Sequence, residues 1–311
     1  MENQFEERLR FFVDEFEKIL NEYLGGLQLK PGVLNESVRY SLQVGGKRVR
    51  PALMFASAQM LGGKIADVSN FALALELIHT YSLIHDDLPA MDNDDFRRGK
   101  PSNHKVYGEA NAVLAGDGLL NTAYSLCLDQ CMKGEKFVLA SKFLAECAGI
   151  FGMIAGQSAD LYFSEKDRAV AEEDLAYIYE HKTGKLLLAP VAVASILSGN
   201  KFYFEFEQFG KYLGSLFQIT DDILDVTGDF STRFSKFCRR SRPRNPFPRT
   251  SFPTSVPTST SFPSARTRRK TSSPPSVSTD WTARRYARIC TRNTVIPFWT
   301  VSTATPPFCT I

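Results

Sequence analysis

The sequence contains few of the residues that most often build nucleophilic catalytic sites and transition-metal centres. Its 311 residues include 4 histidines and 6 cysteines, and the cysteines have none of the spacings typical of zinc ligands. Cys127 and Cys131 lie four positions apart, but the sequence has no second cysteine pair that could complete a metal site with them. We therefore expect the cysteines to be reduced thiols in a core. No Ser/His/Asp or Cys/His arrangement is evident. Neither a zinc site nor a covalent nucleophile is therefore predicted.

Segments that would place the protein in a membrane or direct it out of the cell are also missing from the sequence. We find no apolar run that reaches the roughly 18 residues of a membrane span. The N-terminal stretch MENQFEERLRFF mixes acidic and basic residues and lacks the apolar core of a signal peptide. We therefore expect a cytoplasmic protein without a membrane span.

Residues 231–311 contain no Leu, no Glu and no Gly, but they contain 11 of the 16 prolines. They carry 15 Lys and Arg residues against one acid, whereas residues 1–230 carry 22 against 33 acids. Proline at this density prevents helix formation, and so few aliphatic residues cannot offset the entropy lost on ordering. We therefore divide the chain into a folded domain, residues 1–230, and a basic disordered tail, residues 231–311.

Two origins of this tail are considered. A shift of reading frame would replace the natural C-terminus with sequence of abruptly different composition, and we favour this origin. The alternative is a genuine basic arm that binds nucleic acid or an anionic membrane, but such arms rarely replace core helices. We therefore expect no nucleic-acid partner, and a chain whose stability and activity are impaired.

Residues 1–230 have the apolar periodicity of successive helices. Apolar residues recur every three or four positions between Phe5 and Leu20, and strand-like alternation with hairpin turns is missing. Several stretches are apolar on more than one face, which is typical of inner helices surrounded by outer ones. The predicted fold class is an all-α bundle. The further helices cover roughly 33–44, 51–61, 68–87, 109–133, 136–163, 172–198 and 202–226.

Three carboxylates, Asp86, Asp87 and Asp92, follow an apolar helix. Carboxylates this close repel one another unless each faces solvent or shares a cation. Grouped hard oxygen ligands suit Mg²⁺, which often bridges carboxylates and phosphate oxygens. Taken alone, such a cluster is more often a solvated acidic turn. An EF-hand is excluded because its glycine and its closing glutamate are not in position.

A second acidic cluster favours the metal site. Asp221 and Asp225 lie one helical turn apart on a largely apolar segment, and Asp222 lies between them. Acids in such a segment are costly unless they are paired or bound to metal. Two helices of this kind, facing each other, would form a carboxylate-lined cleft able to hold several Mg²⁺ ions.

Basic residues near these motifs would complement an anionic ligand. In the stretch GGKRVRP, residues 45–51, the glycines allow a loop to present Lys47 and Arg50 at the start of a helix, where anions are favoured. The stretch is not a P-loop, because the upstream glycine and the Ser or Thr after the lysine are missing. Taken alone, it would more often be an exposed basic turn.

Other polar side chains stand where packing would favour apolar ones. Arg97 and Arg98 follow the first acidic cluster, and Lys182 and Thr183 interrupt an apolar helix pair. His79 lies two helical turns before that cluster and on the same face. A lone histidine on an apolar helix is more often a core residue, so His79 carries little weight by itself.

Together and in this order, the motifs resemble those of the trans-polyprenyl diphosphate synthase family, especially bacterial farnesyl diphosphate synthases. The resemblance covers about three quarters of the chain. It implies an all-helical bundle around a central cavity, the isoprenoid synthase fold, which is usually a homodimer. The matching stretches are GGKRVRP at 45–51, ELIHTYSLIHDDLPAMDNDDFRRGKPSNH at 76–104, YGEANAVLAGDGLL at 107–120, GQSADL at 156–161, HKTGKLL at 181–187 and FQITDDILDVTGD at 217–229.

The resemblance also implies a reaction. Isopentenyl diphosphate would be condensed with dimethylallyl or geranyl diphosphate to give farnesyl diphosphate, with geranylgeranyl diphosphate as the alternative product. The implied Mg²⁺ ligands are Asp86, Asp92 and Asp221, supported by Asp87, Asp222 and Asp225. The implied contacts to the allylic substrate are Arg97, Lys182, Thr183 and Gln218, and those to isopentenyl diphosphate are Lys47, Arg50, His79 and Arg98. Asp86, Asp92, Asp221 and Lys182 would take part in catalysis.

Product length in the family follows the depth of the cavity. Tyr81 and Ser82 lie five and four residues before Asp86, about one helical turn further into the cavity. A bulky Tyr81 would form its floor. Tyr81 and the two extra residues of the first aspartate motif resemble the features of enzymes that make the C15 product.

The chain departs from the family after Asp229, where a Gly- and Lys-rich loop and further Leu- and Glu-rich helices are missing. Two rival functions are considered. A class I terpene cyclase would use similar metal motifs but needs no second diphosphate site, so Lys47, Arg50 and Arg98 argue against it. A non-catalytic partner subunit would typically have lost one aspartate motif, and both are present.

Overall fold

In a computed structural model the protein is an all-α bundle, which confirms the predicted fold class. The structure describes residues 2–30, 32–164, 170–199 and 202–227, and the predicted tail lies outside them. The helices are α1 (Glu2–Gly26), α2 (Gly32–Gln43), α3 (Val49–Met60), α4 (Ile65–Asp86), α5 (Asn103–Tyr107), α6 (Glu109–Cys131), α7 (Glu135–Ala148), α8 (Met153–Phe163), α9 (Glu172–Ile178), α10 (Lys185–Leu197) and α11 (Tyr203–Thr227).

Two apolar helices form the interior of this bundle. Every residue of α10 from Leu186 to Leu197 is buried, and α4 buries side chains all round its circumference from Val68 to Ile84. A helix that is apolar on all sides must be surrounded by other helices. Accordingly, α4 packs against α3, α6 and α10, while α10 also packs against α7 and α11.

The stretch 136–163, predicted as a single helix, forms two helices, α7 and α8. They are separated by a turn at residues 149–152, which contains the helix-breaking residues Gly149 and Gly152. The segment Glu135–Phe163 is long and apolar enough to cross a membrane by length and composition alone, but it is divided between α7 and α8. This signal is weak, and the absence of a membrane span stays a prediction.

The stretch 172–198 also differs from the predicted single helix. Between α9 and α10 the backbone widens into a π-helical turn, Tyr179–Gly184, which carries Lys182 and Thr183. Such turns are rare and are often found at functional sites. The interruption of the apolar pattern by these two polar residues therefore marks a real change of backbone geometry.

A small hairpin follows the first acidic cluster, in a region where no strand was predicted. It pairs β1 (Phe96–Arg97) with β2 (Lys100–Pro101). Arg98 and Gly99 form the turn, with φ of 54° and 78°. Two successive residues with positive φ match the twist of a two-residue hairpin loop. The hairpin brings the Arg97 side chain to Asp87 at the end of α4 and the Arg98 side chain to Gly45 in the loop before α3.

The cysteines in the described part of the chain are free thiols, as expected. Cys127 and Cys147 are buried, and Cys131 is partly buried. Burial raises the pKa of both buried thiols to about 12. They therefore remain protonated and behave as small core residues.

Candidate active site

A cavity of about 510 Å³ opens among α3, α4, α6, α8 and the π-helical turn. It brings together residues that are far apart in the sequence, from Arg50 on α3 to Leu186 on α10. Its wall is mainly apolar, and its charged lining residues include Arg50, Asp86 and Lys182. The predicted site residues in its lining are Arg50, His79, Tyr81, Ser82, Asp86, Lys182 and Thr183.

Asp86 ends α4 at the wall of this cavity, where Gln157 of α8 donates a hydrogen bond from Nε2 to Asp86 Oδ1. Burial raises the pKa of Asp86 to about 7, and Asp92 adds to the shift, while Lys182 opposes it. The negative charge here is thus only partly compensated by the protein. Carboxylate oxygens in such a place fit a hard divalent cation, which would restore their ionised form.

Asp87, the next residue, is buried and pairs with a cation of the protein. Arg97 donates from Nε to Asp87 Oδ1 at 2.9 Å, and its Nη2 also donates to the same oxygen. Arg97 lies 3.7 Å from Asp94 as well. Burial raises the pKa of Asp87, and the hydrogen bonds from Arg97 oppose this shift. Asp87 and Arg97 line a separate small cavity of about 30 Å³ rather than the large one.

The π-helical turn places Lys182 opposite Asp86. Lys182 Nζ lies 2.6 Å from Asp160 Oδ2 on α8. Burial lowers the pKa of Lys182, but Asp160 and Asp86 more than offset this, so its pKa is raised and the amine stays charged. The adjacent Thr183 donates a hydrogen bond of 3.0 Å to Gln218 Oε1 on α11. These contacts join α8, the π-helical turn and α11 at one place.

The cavity has a second cationic region around Arg50 and His79. Arg50 Nε is buried and has no hydrogen-bond partner. Burial, followed by the charge of Arg50, holds the pKa of His79 well below its ordinary value, so the imidazole is neutral. Arg98 Nη1 donates to the carbonyl of Gly45, and Lys47 is exposed at the same loop. Neither Arg98 nor Lys47 belongs to the cavity lining.

Tyr81 also lines the cavity, with its side chain buried and its hydroxyl without a hydrogen-bond partner. Burial raises its pKa to about 12, so the phenol is neutral. Its ring meets the His85 ring edge to face, with centroids 5.7 Å apart. Ser82 donates a hydrogen bond of 2.9 Å to the His79 carbonyl and also lines the cavity.

The second acidic cluster lies on α11, but the side chains of Asp221, Asp222 and Asp225 are outside the described residues. Within the described part of the chain, no group of three His, Cys, Asp or Glu side chains is arranged to hold a metal ion. The predicted meeting of two carboxylate clusters therefore stays a prediction.

Residues 31–238 match the Polyprenyl synthetase family. The chain belongs to this family. It is 46% identical over 217 residues to the farnesyl diphosphate synthase of Geobacillus stearothermophilus. The aligned region covers 68% of this chain and 72% of that protein. It is also 46% identical over 202 residues to the chloroplastic geranylgeranyl pyrophosphate synthase of Capsicum annuum, covering 64% of this chain and 54% of that protein.

Solved structures of similar proteins have the same fold. A geranyltransferase from Legionella pneumophila superposes with a TM-score of 0.66 at 33% identity, covering 75% of this chain and 87% of that one. A geranyltranstransferase from Thermotoga maritima superposes with a TM-score of 0.61 at 34% identity, covering 75% and 86%. These similarities confirm the isoprenoid synthase fold expected from the resemblance.

Three polar residues of this polyprenyl synthetase site had been given no role from the sequence. Gln157 contacts Asp86, Asp160 contacts Lys182, and Glu76 is buried near the second cationic region. Gln157 and Asp160 belong to the stretch GQSADL, where they interrupt an apolar helix. That interruption is the same kind of signal that pointed to Lys182, and it could have identified them.

Proposed function

We propose that this chain is a prenyltransferase that condenses isopentenyl diphosphate with dimethylallyl or geranyl diphosphate to give farnesyl diphosphate. The observation that carries the proposal is the cavity, which joins Asp86 and Lys182 on one side to Arg50 and His79 on another. An anion-binding region beside a metal-binding carboxylate suits two diphosphates, and the apolar remainder suits their hydrocarbon chains.

Mg²⁺ would be held by Asp86 and Asp92 together with Asp221, and Asp87, Asp222 and Asp225 would support this set. When bound, Mg²⁺ supplies positive charge to the departing diphosphate. The raised pKa of Asp86 fits this role, because a bound cation would stabilise the carboxylate charge that the protein only partly compensates.

The protein's own residues do the remaining work on the allylic substrate. Lys182, held in its charged form by Asp160, would donate hydrogen bonds to the leaving diphosphate oxygens. Thr183 and Gln218, which already contact each other, would hold the same group, and Arg97 would contribute a second cation. The apolar walls exclude water from the allylic cation formed when the C–O bond breaks.

Isopentenyl diphosphate would lie at the second cationic region. Arg50 has an unpartnered Nε there, and Lys47, His79 and Arg98 would supply further donors. The double bond attacks the allylic cation, forming a C–C bond, and a proton then leaves the adjacent carbon. Each charge-assisted contact to a diphosphate contributes about 1.5–3 kcal/mol, so loss of one contact weakens binding without abolishing it.

We also propose that the enzyme acts as a cytoplasmic homodimer and that residues 231–311 derive from a shifted reading frame. Translation of the gene downstream of codon 229 in the other two frames is the direct check. If neither frame encodes Leu- and Glu-rich helical sequence, the frame-shift proposal is wrong. As it stands, the chain is expected to be weakly active.

Product analysis of the purified protein tests the function. The chain, and a version whose C-terminus follows the alternative frame, are incubated with Mg²⁺, geranyl diphosphate and isopentenyl diphosphate, and the prenyl products are separated by chromatography. A C15 product in the restored version supports the proposal, whereas a C20 product favours the geranylgeranyl alternative. Asp86→Asn should abolish turnover. Asp129→Asn, at an exposed position on α6, should leave turnover unchanged.

The rival functions give different results in the same assay. A terpene cyclase would release diphosphate from the allylic substrate in the absence of isopentenyl diphosphate. A non-catalytic subunit would form no product by itself even with its C-terminus restored. Either result would overturn the proposed prenyl transfer.

A further inference from the structure

Arg48 stands between the two predicted binding residues Lys47 and Arg50, yet its side chain is directed into the protein. It is 3% exposed, and three partners hold its guanidinium group. Arg48 Nε donates to Glu17 Oε1, Nη1 to Glu76 Oε1 and Nη2 to the Leu42 carbonyl, each at 2.7 Å. This one side chain therefore ties the loop to α1, α2 and α4.

The backbone of Arg48 needs such an attachment. Its φ is 46°, in the left-handed region that a residue with a side chain rarely adopts, and it immediately precedes α3. A conformation of this kind persists only where surrounding contacts over-determine it. The strained residue lies one position after Lys47 and two before Arg50, so its geometry determines where both side chains are directed.

Glu76 links Arg48 to the rest of the second cationic region. It is 2% exposed and lies on α4, one helical turn before His79. Burial lowers the pKa of Arg50 and that of Arg98, and in both cases the charge of Glu76 opposes the shift. One buried carboxylate thus faces Arg48, Arg50 and Arg98.

Arg98 closes the same loop from the outside. Its guanidinium lies over Gly46, where a Cβ would come within 2.8 Å of it, and it donates to the Gly45 carbonyl. The loop 45–48, which precedes α3, is therefore held from the inside by Arg48 and from the outside by Arg98. Two guanidinium groups thus fix the loop at both faces.

We propose that Arg48, Glu76 and Glu17 are positioning residues for the second diphosphate: before the substrate arrives, they hold the loop so that Arg50 lines the cavity and Lys47 is presented to solvent at the same loop. None of the three contacts substrate. The inference rests on the proposed function, because it assigns this region to isopentenyl diphosphate. A preformed loop reduces the ordering that binding must otherwise bring about.

Glu17 offers the mildest test, because its side chain is 39% exposed and a glutamine there keeps a side-chain oxygen that can accept from the buried Arg48 Nε. In Glu17→Gln, measured in the version with the restored C-terminus, the KM for isopentenyl diphosphate should rise about tenfold, since small displacements of binding groups have effects of this size. The KM for geranyl diphosphate and kcat should stay within about twofold. Glu15→Gln, at the surface pair with Lys18 on the same helix, should change neither KM.

Arg48→Lys is the second variant. It retains the charge but cannot bridge Glu17, Glu76 and Leu42 at once, so it should raise the same KM by at least as much. An unchanged KM for isopentenyl diphosphate in Glu17→Gln would overturn the proposal. Equal rises in both KM values would overturn it too, because that is the result of general loosening of the fold.

Calorimetric binding of isopentenyl diphosphate separates this inference from the proposed function. If the version with the restored C-terminus does not bind the compound, the proposed function fails. If that version binds it and its Glu17→Gln variant binds it equally well, the function stands and the positioning role fails.

Discussion

The imidazole of His85 occupies the space that a side chain at Gly116 would need. A Cβ at this glycine would overlap the ring, whose Nε2 lies 3.1 Å from the Val113 carbonyl oxygen. A carbonyl can only accept, so Nε2 carries the proton and donates. The contact joins α4 to α6 and keeps the His85 ring against Tyr81, 5.7 Å between centroids. The absence of a side chain at Gly116 thus leaves room for the His85 ring, which contacts Tyr81 in the lining of the cavity.

Gly116→Ala should destabilise the protein by about 1–3 kcal/mol, because the added methyl group must displace His85 within a packed helix pair. Gly118→Ala is the matched control, since it lies on the same helix and a Cβ there meets nothing within 4 Å. The control should be neutral or more stable by up to about 1 kcal/mol, because alanine favours helix. Urea unfolding measures both, and equal changes would contradict the packing argument.

Tyr81→Ala should lengthen the product. The buried ring lines the cavity, and its removal should leave room for at least one more isoprene unit. Chromatography of the prenyl products should show C20 and longer chains in place of C15. Tyr81→Phe retains the ring and removes a hydroxyl that has no partner, so it should keep the C15 product. An unchanged profile in Tyr81→Ala would mean that another residue forms the floor.

Gly156→Ala should reduce kcat strongly. A Cβ at this position of α8 would overlap the backbone nitrogen of Lys182, so α8 and the π-helical turn could not keep their close approach. A displacement near 1 Å of a catalytic group can cost on the order of a hundredfold in rate. Steady-state kinetics gives kcat, and far-ultraviolet circular dichroism should show the helices retained. Activity equal to that of Gly118→Ala would contradict this view of the turn.

The stability of the protein should depend on pH through His79. Its pKa is held well below the ordinary value by burial and by Arg50, so the folded state keeps the ring neutral. The unfolded chain takes up a proton below about pH 6.5, and the stability that His79 contributes above that pH is therefore lost as the pH falls. Between pH 7.5 and 5.5 the loss should be about 1.4 kcal/mol larger than in His79→Gln.

Denaturant unfolding of both proteins across that pH range measures the difference. Parallel curves for the parent protein and His79→Gln would show that the imidazole is not kept neutral. Isopentenyl diphosphate should reduce the difference, because an anion beside His79 favours the charged ring.

The sequence predicts one role for the neighbouring aspartates of the first motif, but the fold gives them different partners. The sequence places Asp86 and Asp87 next to each other and predicts metal binding for both. In the fold they face different surroundings, since consecutive positions at a helix end point in different directions. Asp86 meets Gln157 at the large cavity, whereas Asp87 meets Arg97 on the hairpin. The pairing of Asp87 depends on a two-residue turn that no periodicity predicted.

Because helix formation follows local periodicity, eight helical stretches were predicted in the right order, whereas the structure describes eleven α-helices. The short helix α5 was missed. The break at residues 149–152 and the widened turn at Tyr179–Gly184 were also not predicted. Both depend on how neighbouring helices approach one another, which is information held by distant residues.

By itself, the sequence determined the all-helical class, the family, and the residue types available to bind diphosphate and metal, since these follow from local pattern and ordered motifs. Only the tertiary structure decided which of the charges meet. It pairs Asp160 with Lys182, buries Glu76 among three arginines, and turns Arg48 inward between two residues predicted to bind substrate. The physical reason is that the energy of a charge depends on its burial and on its partners in space, and neither can be read from its position in the chain.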